Sequence, residues 1–301
     1  MSNTRGAIGS VWMAAAIVLC IVGRAGAGDA PEPSRACDAA RAPTAAFQMQ
    51  VPFETIDGRI YVQARVNGRG PFRFAIDTGA SGVGRVDASL VATLGLTLGP
   101  PTANSDGVTT AEAETTMVET IEVGGLSRRD LRVITRDYNS RMAPGSALSG
   151  IIAREFFADG LLVIDYPRRL LSFGSGLSLS PEQPGVLRYT RPFRVPVTIG
   201  AVTAEGNLDT GANVAFVLPE ALFDRVSGTP AAPAARGQLA NGTVDTSRAT
   251  VPGPFRIGEV TLSDVEVRVS ARYPELLVGA HALQGAVVLI DQRSQRIAVC
   301  P

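Results

Sequence analysis

The tetrapeptide Asp-Thr-Gly-Ala occurs twice in this chain, beginning once at Asp77 and once at Asp209. Two further segments repeat in the same order. IEVGGLSRRDLRV (121–133) resembles FRIGEVTLSDVEV (255–267), and LLVIDYPRRLLSF (161–173) resembles VVLIDQRSQRIAV (287–299). Three separated matches in one order indicate two copies of one structural unit. The repeat therefore restricts the fold to two similar halves.

The repeat also sets the domain boundaries. The first copy is assigned to residues 45–174 and the second to residues 189–301. Residues 175–188 lie between them, and their Ser, Pro and Gly content is typical of a linker. Residues 28–44 are rich in Pro and Ala and are predicted to be a flexible N-terminal segment.

Each copy consists mostly of short apolar or alternating runs, which predict β-strands. Short helices are predicted at 87–94 and 219–226, each following its Asp-Thr-Gly-Ala element, with Pro219 at a first helical position. The expected fold is all-β, with two similar β-barrel lobes related by pseudo-twofold symmetry. The predicted strands are 59–66, 72–76, 117–123, 131–135, 195–199, 206–208, 265–269 and 287–290.

Residues 1–27 have the pattern of a cleavable signal peptide. Arg5 supplies the positive start, residues 11–22 form an apolar run too short to favour a membrane span, and Ala25-Gly26-Ala27 is a small-x-small cleavage site. The mature protein is then expected to be secreted or periplasmic, without membrane attachment. An uncleaved N-terminal anchor is the alternative.

Two cysteines remain after cleavage removes Cys20. Cys37 and Cys300 lie near opposite ends of the mature chain, and paired cysteines are common in oxidising compartments. We therefore predict a disulfide between them. The sequence leaves open that they are two unrelated thiols.

The composition argues against several classes of function. Lys+Arg and Asp+Glu are equal at 28 each, and no basic run is present, so the chain has no electrostatic footprint for nucleic acid. Two cysteines and a single histidine, His281, give no zinc signature, and no cofactor is expected. No G-x-S-x-G motif accompanies His281, so it is interpreted as a structural or surface residue.

An isolated Asp-Thr-Gly is most simply an Asx-type turn after a strand. Two copies in similar halves change this interpretation, because a pseudo-twofold axis would bring Asp77 and Asp209 together. Two adjacent carboxyls share one proton, and one apparent pKa rises. The charged group can then take a proton from water while the protonated group donates to a carbonyl. Such chemistry needs neither metal nor cofactor.

Another pair of acidic residues also occupies equivalent positions in the two repeats. Asp165 and Asp291 each precede a turn-like segment, DYPR or DQRS, and are interpreted as hairpin-turn residues. A second carboxylate pair remains an open alternative for them.

The segments FAIDTGAS (74–81) and NLDTGAN (207–213) resemble the aspartic proteases, and the retropepsin-like family more closely than pepsin. Alanine follows the glycine in both, as in many retropepsins. The family's later hydrophobic-hydrophobic-Gly element is matched by Leu277-Val278-Gly279. The corresponding residues in the first copy are Ile151-Ile152-Ala153, where Ala replaces Gly. This departure is expected to loosen or reshape the support under Asp77, with Gly150 compensating in part.

The resemblance implies roles for the two turns and for the hairpins above them. Asp77 and Asp209 would form the catalytic dyad. Flap hairpins are expected at 105–114 and 240–247, and neither contains the Tyr of pepsin-type flaps. Residues expected to support the dyad are Thr78, Gly79, Thr210, Gly211 and Gly279, and those expected at the flap turns are Asp106, Gly107, Asn241 and Gly242.

The function implied by the resemblance is an aspartic endopeptidase acting on a peptide or protein as a monomer. Two alternatives remain at this stage. Ala153 and the Tyr-less flaps suggest a catalytically inactive module that binds peptides or a partner protein. Alternatively, each lobe pairs with a second molecule, as single-lobe retropepsins do.

Overall fold

The computed structural model describes residues 1–2, 35–142 and 145–301. In these parts of the chain short strands dominate and helices are few, which confirms the all-β prediction. The predicted signal peptide, apart from its first two residues, lies outside the described residues. Within the described ranges, the apolar helix needed to cross a bilayer is not found.

The first half of the chain contains mostly short strands and a few short helical segments. The strands are β1 (Met49–Pro52), β2 (Glu54–Ile56), β3 (Arg59–Val66), β4 (Arg69–Asp77), β5 (Gly84–Asp87), β6 (Leu98–Ser105), β7 (Thr110–Val123), β8 (Leu126–Arg136), β9 (Gly150–Ala153), β10 (Leu161–Asp165) and β11 (Leu170–Gly174). The helices are α1 (Ala88–Leu94) and four 3₁₀ segments, Ala36–Arg41, Thr44–Ala46, Asn139–Arg141 and Arg154–Phe157.

The second half has a matching series of elements. Its strands are β12 (Leu187–Arg188), β13 (Arg194–Ile199), β14 (Val202–Asp209), β15 (Phe216–Pro219), β16 (Ala232–Pro233), β17 (Gly237–Gln238), β18 (Thr243–Val244), β19 (Ser247–Val251), β20 (Phe255–Ile257), β21 (Val260–Leu262), β22 (Val265–Ser270), β23 (Leu276–Gly279), β24 (Val287–Asp291) and β25 (Arg296–Cys300). Its helices are α2 (Glu220–Val226) and α3 (Ala280–Leu283).

Each lobe is built on its own sheet. The strand order is β2-β3-β4-β9-β5-β8-β7-β6 in lobe 1, where β3 also pairs with β7 so that the sheet curls on itself. In lobe 2 the order is β16-β19-β22-β15-β23-β14-β13-β20-β21. Both sheets pack against one apolar core whose buried members come from both lobes.

The turns of the repeated segments have equivalent backbone conformations. Gly124 and Gly258 occupy the same turn in the two copies, with φ of 52° and 57°. Asp130 and Asp264 follow at φ of 55° and 52°. Glycine adopts positive φ without steric cost, and Asp tolerates it better than most residues. The sequence repeat is thus also a repeat of local geometry.

A third, six-stranded sheet joins the lobes in the order β1-β11-β10-β24-β25-β12. At its centre β10 and β24 run antiparallel, with Val163 opposite Leu289. Leu161 lies opposite Asp291 and Asp165 opposite Val287. Since 161 is equivalent to 287 and 165 to 291 in the repeat, this register is symmetric about the Val163–Leu289 pair. A pseudo-twofold axis therefore passes through that pair.

The structure corrects three details of the sequence interpretation. The described part of the N-terminal segment, predicted to be flexible, forms two 3₁₀ segments and fully buries Ala36. The predicted linker ends earlier than residue 188, because Leu187 and Arg188 pair with Ile297 and Arg296 in the central sheet. Pro219 lies at the N-cap of α2 rather than inside its first turn.

The N-terminal segment is covalently attached to the central sheet. Cys37 and Cys300 form a disulfide with an S–S distance of 2.05 Å, closing a sequence separation of 263 residues. Ala36 and Cys300 belong to the same small apolar cluster. The two ends of the described fold are thereby joined beside the strand that ends the chain.

Candidate active site

Asp77 and Asp209 end equivalent strands in the two lobes. β4 runs parallel to β9, placing Asp77 opposite Ala153. β14 runs parallel to β23, placing Asp209 opposite Gly279. Each carboxylate thus follows an apolar strand at the point where the chain must turn, as the duplicated motif predicted.

The threonines that follow the two Asp residues bond reciprocally across the lobe boundary. The Thr78 backbone N–H donates to Thr210 Oγ1 at 3.1 Å, and the Thr210 N–H donates to Thr78 Oγ1 at 3.0 Å. The hydroxyls then donate to the carbonyl oxygens of Leu208 (3.0 Å) and Ile76 (2.8 Å). Both threonines are buried. Each hydroxyl is therefore fully used in fixing one loop against the other.

The glycines after the threonines let the two loops interlock. A Cβ atom added to Gly79 would lie 2.5 Å from the Asp209 carboxyl carbon, and one added to Gly211 would lie 2.5 Å from that of Asp77. Contacts this short exclude any side chain at either position. Each carboxyl therefore packs against the glycine of the opposite turn, so the two carboxyls lie together on the pseudo-twofold axis.

The two carboxyls are held by the backbone of their own loops. Asp77 Oδ1 accepts from the Ala80 N–H at 2.9 Å, and Asp209 Oδ1 accepts from the Gly211 N–H at 2.8 Å. Burial, and then the adjacent charge of Asp77, raise the pKa of Asp209 from 3.8 to about 7. Desolvation and a neighbouring negative charge both disfavour the ionised form. The pair therefore holds one proton well above the usual range of a carboxyl.

Two arginines that the sequence interpretation missed bond to the dyad loops. Arg59 Nε donates to the Gly211 carbonyl at 2.6 Å, and its positive charge acts to lower the pKa of Asp209. Arg154 Nη1 donates to the Gly79 carbonyl at 3.4 Å. No local pattern marks either residue, because each reaches a loop that lies close only after folding.

The Ala-for-Gly replacement in lobe 1 is accommodated by a change in the facing loop. At Gly279 an added Cβ would lie 2.3 Å from the Val214 carbonyl oxygen, so alanine is excluded in lobe 2. In lobe 1 the facing loop contains Gly82 at φ 85°, and Ala153 is buried. The expected compensation by Gly150 is not observed, since Gly150 instead makes room for the Phe74 ring.

The support under Asp77 is retained despite this replacement. The Ala153 N–H donates to Val83 O at 3.1 Å and the Arg154 N–H donates to Ala80 O at 3.3 Å. The equivalent bonds in lobe 2, from the N–H groups of Gly279 and Ala280, measure 2.8 Å each. Lobe 1 thus keeps both backbone hydrogen bonds, and each is longer than its lobe 2 equivalent.

Comparison with known proteins agrees with this geometry. A family model described as aspartyl protease matches residues 62–156 and 195–282, more than half of the chain. The two matched regions contain one Asp-Thr-Gly turn each. The chain belongs to the aspartyl protease family. The resemblance to the retropepsin-like proteases, with two lobes in one chain, is thereby confirmed. No curated protein matches the chain.

Both hairpins expected to act as flaps of this aspartyl protease are present. In lobe 1, β6 and β7 form a long hairpin whose turn contains Asp106 and Gly107. In lobe 2, β17 and β18 enclose Asn241 and Gly242. The Asp-Gly and Asn-Gly pairs thus lie at the hairpin turns, where the sequence placed them.

The two flap hairpins contact each other across the cleft through Asn241. Its backbone N–H donates to Asp106 Oδ2 at 2.7 Å. Its side-chain Nδ2 donates to the carbonyls of Asn104 and Thr109, each at 2.7 Å. Arg136 of lobe 1 donates to Asn241 Oδ1 and, at 2.9 Å, to the Ala240 carbonyl. In this structure the flap of lobe 1 is therefore fastened to lobe 2.

An aromatic residue does lie at the flap of lobe 1, but it comes from lobe 2. A Cβ on Gly107 would lie 3.8 Å from the Tyr273 ring. Burial, followed by the charges of Asp209 and other acidic groups that include Asp106 and Asp77, raises the pKa of Tyr273. The Tyr273 ring therefore lies beside the flap turn, and its phenol is close enough to the dyad for both carboxyl charges to act on it. The sequence interpretation looked for Tyr only within the flaps and missed it.

Asp165 and Asp291 are turn residues. Asp165 Oδ1 accepts from the Arg168 N–H at 2.9 Å, and Asp291 Oδ1 accepts from the Arg293 N–H at 3.2 Å. The register of β10 with β24 places the two Asp residues at opposite ends of the strand pair. They therefore do not form a second carboxylate pair.

His281 is structural. Its Nε2 lies 3.2 Å from Asp57 Oδ1, a contact between α3 of lobe 2 and the β2–β3 turn of lobe 1. The same turn is held by Gln284, whose Nε2 donates to the Gly58 carbonyl at 3.0 Å. Within the described residues no group of three or more His, Cys, Asp or Glu has the arrangement of a metal site.

Proposed function

We propose that this aspartyl protease is an active endopeptidase in which Asp77 and Asp209 activate a water molecule. The observation that supports this most directly is the interlocking of the two turns, which holds both carboxyls together and leaves them partly accessible. The raised pKa of Asp209 supplies the second requirement, a pair that carries one proton and one negative charge.

The chemistry follows from this unequal sharing of the proton. Below about pH 7 Asp209 holds its proton, which assigns Asp209 the role of the acid and leaves Asp77 the role of the base. Asp77 takes a proton from water as the water oxygen attacks the peptide carbonyl carbon, and Asp209 donates its proton to the carbonyl oxygen. The tetrahedral diol then collapses. One hydroxyl returns a proton to Asp209, the proton held by Asp77 passes to the amide nitrogen, and the C–N bond breaks.

The lobe boundary suits an extended peptide as the substrate. Tyr273 lies beside the turn of the lobe 1 flap, and the charges of both carboxyls of the dyad act on its phenol. Extended peptides bind such clefts through backbone hydrogen bonds to strand edges. Release of the Asn241 contacts would admit the peptide, and their return would exclude water around the reacting bond.

Cleavage of a diverse peptide mixture between acid and neutral pH tests the proposal. Residues 28–301 would be compared with Asp77→Asn and Asp209→Asn. Each substitution is expected to lower kcat by about 10²–10⁴-fold, because each removes one partner of the acid–base pair. Asp130→Asn is the matched control, since Asp130 is exposed in β8, makes no hydrogen bond or ion pair with the dyad loops within the described structure, and has a positive φ that Asn tolerates. Equal cleavage by all four proteins would refute the assignment.

A second candidate function is a peptide-binding module without activity. The observation that favours it is the fastened flap, which closes the cleft through Asn241. Calorimetry with the same peptides distinguishes the two. Binding without cleavage at any pH, by both the wild type and Asp209→Asn, would identify a binding module.

We also propose that the mature protein acts outside the cytoplasm as a monomer. The signal-like segment at 1–27 and the Cys37–Cys300 disulfide support an oxidising compartment. The placement of both carboxyls in one chain supports a monomer. N-terminal sequencing of the expressed full chain and its mass in solution test these two points. A start at Met1, or a dimeric mass for the active protein, would contradict them.

A further inference from the structure

One face of the lobe 1 sheet carries Asp77 and, beside it, a continuous row of side chains. Tyr61 lies opposite Ala75, Ala75 opposite Ile151, and Ile151 opposite Arg85. Because alternate residues of a strand share a face, Ala75 points to the same side as Asp77. The middle of the row, Ala75 and Ile151, is aliphatic, and the row ends at the guanidinium of Arg85.

Arg85 is 7% exposed and lacks the carboxylate partner that a buried cation requires. In the described part of the chain it forms no ion pair, and its Nε atom has no hydrogen-bond partner. Asp87 lies two residues along the same strand, but its oxygens accept from Ser89 and from the Tyr138 N–H. The nearby acid is thus committed to capping rather than to Arg85.

Tyr138 connects this guanidinium to the dyad. Within the described residues its buried hydroxyl makes no hydrogen bond of good geometry, but it lies within reach of the Arg85 guanidinium. Burial raises the pKa of Tyr138, the positive charge of Arg85 opposes that rise, and the charge of Asp77 adds to it. The Tyr138 phenol therefore lies near both Arg85 and Asp77. Tyr138 also packs against the apolar cluster that contains Ala75 and Ile151.

The same row in lobe 2 shows that the fold does not need a cation here. Arg85 pairs with Ile151 in lobe 1, and Val217 pairs with Leu277 at the same place in lobe 2. Val217 is therefore the lobe 2 equivalent of Arg85. The arginine of the lobe 2 row, Arg194, lies at the position of Tyr61 rather than that of Arg85, and it forms an ion pair with Glu275. In lobe 2 the arginine of the row is paired with a carboxylate of the same lobe. In lobe 1 Arg85 has no carboxylate partner among the described residues.

We propose that Arg85 is a specificity-determining residue that binds the carboxylate of a substrate Asp or Glu side chain in a subsite next to Asp77. The subsite is lined by Ala75, Ile151 and Tyr138. The aliphatic middle of the row contacts the methylene groups of the acidic side chain, and the Tyr138 hydroxyl supplies a second donor to its carboxylate. This inference rests on the proposed function, and it makes the preferred substrates acidic beside the cleaved bond.

The test uses peptide sets in which Glu, Gln or Leu is placed in turn at each position flanking a cleaved bond. For the wild type, Glu at one position is expected to raise kcat/KM over Gln by about tenfold or more, since hydrogen bonds between a guanidinium and a carboxylate are stronger than those to a neutral amide. Arg85→Met should abolish this ratio while retaining or improving cleavage of the Leu peptide. Arg85→Lys should retain part of the ratio.

Two features keep the outcome interpretable. Replacing a buried, unpaired arginine by an apolar residue of similar volume is expected to leave stability unchanged or raised, so Arg85→Met should fold. Val217→Met, at the equivalent position of lobe 2, is the matched control and should leave the Glu/Gln ratio unchanged. A wild type without acidic preference at any position, or a preference that survives in Arg85→Met, would overturn the proposal.

A binding arm separates this inference from the proposed function. Calorimetry of the same peptides with Asp209→Asn measures discrimination without cleavage. Tighter binding of the Glu peptide, lost when Arg85→Met is added, would support the subsite even if no peptide is ever cut. Equal binding of the Glu and Gln peptides, or no binding of either, would overturn it.

Discussion

At the scale of single residues, neither carboxyl of the dyad is positioned by its own lobe alone. Asp77 packs against Gly211, and Asp209 packs against Gly79. Thr78 and Thr210 each donate and accept across the boundary. A displacement of one loop would therefore disturb the other carboxyl as well.

The raised pKa of Asp209 predicts a pH dependence of stability with a definite sign. In the unfolded chain this carboxyl ionises near 3.8, whereas in the folded protein it keeps its proton to about 7. Between these values the folded state binds more protons, so the free energy of unfolding falls as pH rises. Denaturant midpoints of the wild type and Asp209→Asn should be measured from about pH 4 to 8. As pH rises, the midpoint of the variant should increase relative to that of the wild type, because the variant lacks the titrating carboxyl. Parallel curves would contradict the assignment.

The same titration governs the expected activity. Once the pH rises through about 7, Asp209 loses the proton that it donates to the substrate carbonyl. Cleavage should decline over that interval, which a pH profile of kcat/KM would show.

The sequence was sufficient for residues that carry their own signal and insufficient for those defined by a partner. Asp77 and Asp209 were predictable because an apolar strand, a turn and a repeat all coincide there. Arg59 and Tyr273 were missed, since each acts on a loop more than a hundred residues away. Ala153 was noticed, but the loop around Gly82 that accommodates it was not, because a positive φ at a glycine leaves no separate trace in the sequence.

At the scale of elements, the two flap hairpins are unequal. The lobe 1 hairpin is built from strands of eight and fourteen residues, whereas β17 and β18 have two residues each. The short hairpin places Asn241 against the tip of the long one. The long hairpin is therefore expected to be the one that moves, and the short hairpin holds its tip through Asn241.

Asn241→Ala is predicted to free the flap of lobe 1. The substitution removes the side-chain bonds to the carbonyls of Asn104 and Thr109 and to Arg136. Hydrogen exchange at residues 105–110 should become faster, and KM should change more than kcat because access rather than chemistry is altered.

Gln238→Ala is the matched control for this prediction. Gln238 lies in the same short hairpin, but among the described residues its side chain bonds only to Leu239 and Gly242 of that hairpin. Unchanged exchange at 105–110 in Asn241→Ala, or equal acceleration in both variants, would show that Asn241 does not hold the flap.

The predictability of elements also varied along the chain. β3 was predicted to the residue, because its sequence RIYVQARV begins with a short apolar run and then alternates, and both patterns are typical of strands. The 3₁₀ segments between Ala36 and Ala46 were not predicted, and neither was β12. Their structure depends on the disulfide and on the neighbouring strand β25. Both are distant in sequence, so a local pattern of apolar residues does not predict them.

At the scale of the whole molecule, the disulfide restrains the unfolded chain far more than the folded one. Cys37 and Cys300 enclose most of the chain, with a separation of 263 residues. The loop-entropy account assigns greater stabilisation to longer loops, and native disulfides commonly contribute about 2–5 kcal/mol. The double variant Cys37→Ala, Cys300→Ala should therefore unfold at lower denaturant concentration.

Mass spectrometry of residues 28–301 checks the premise of that prediction. Alkylation under denaturing conditions should add no label without reductant and two labels with it. Two labels without reductant would show free thiols in solution. The double variant, which accepts no label in either condition, is the control.

The register of β10 against β24 has a final consequence for how a substrate is oriented. A peptide has a beginning and an end, whereas a twofold axis distinguishes neither direction, so two identical lobes would accept a chain running either way. Here equivalent positions differ: Arg85 corresponds to Val217, Ala153 corresponds to Gly279, and one flap is long while the other is short. If the cleft binds a peptide as proposed, these differences between the lobes are expected to make it accept the peptide in one direction only.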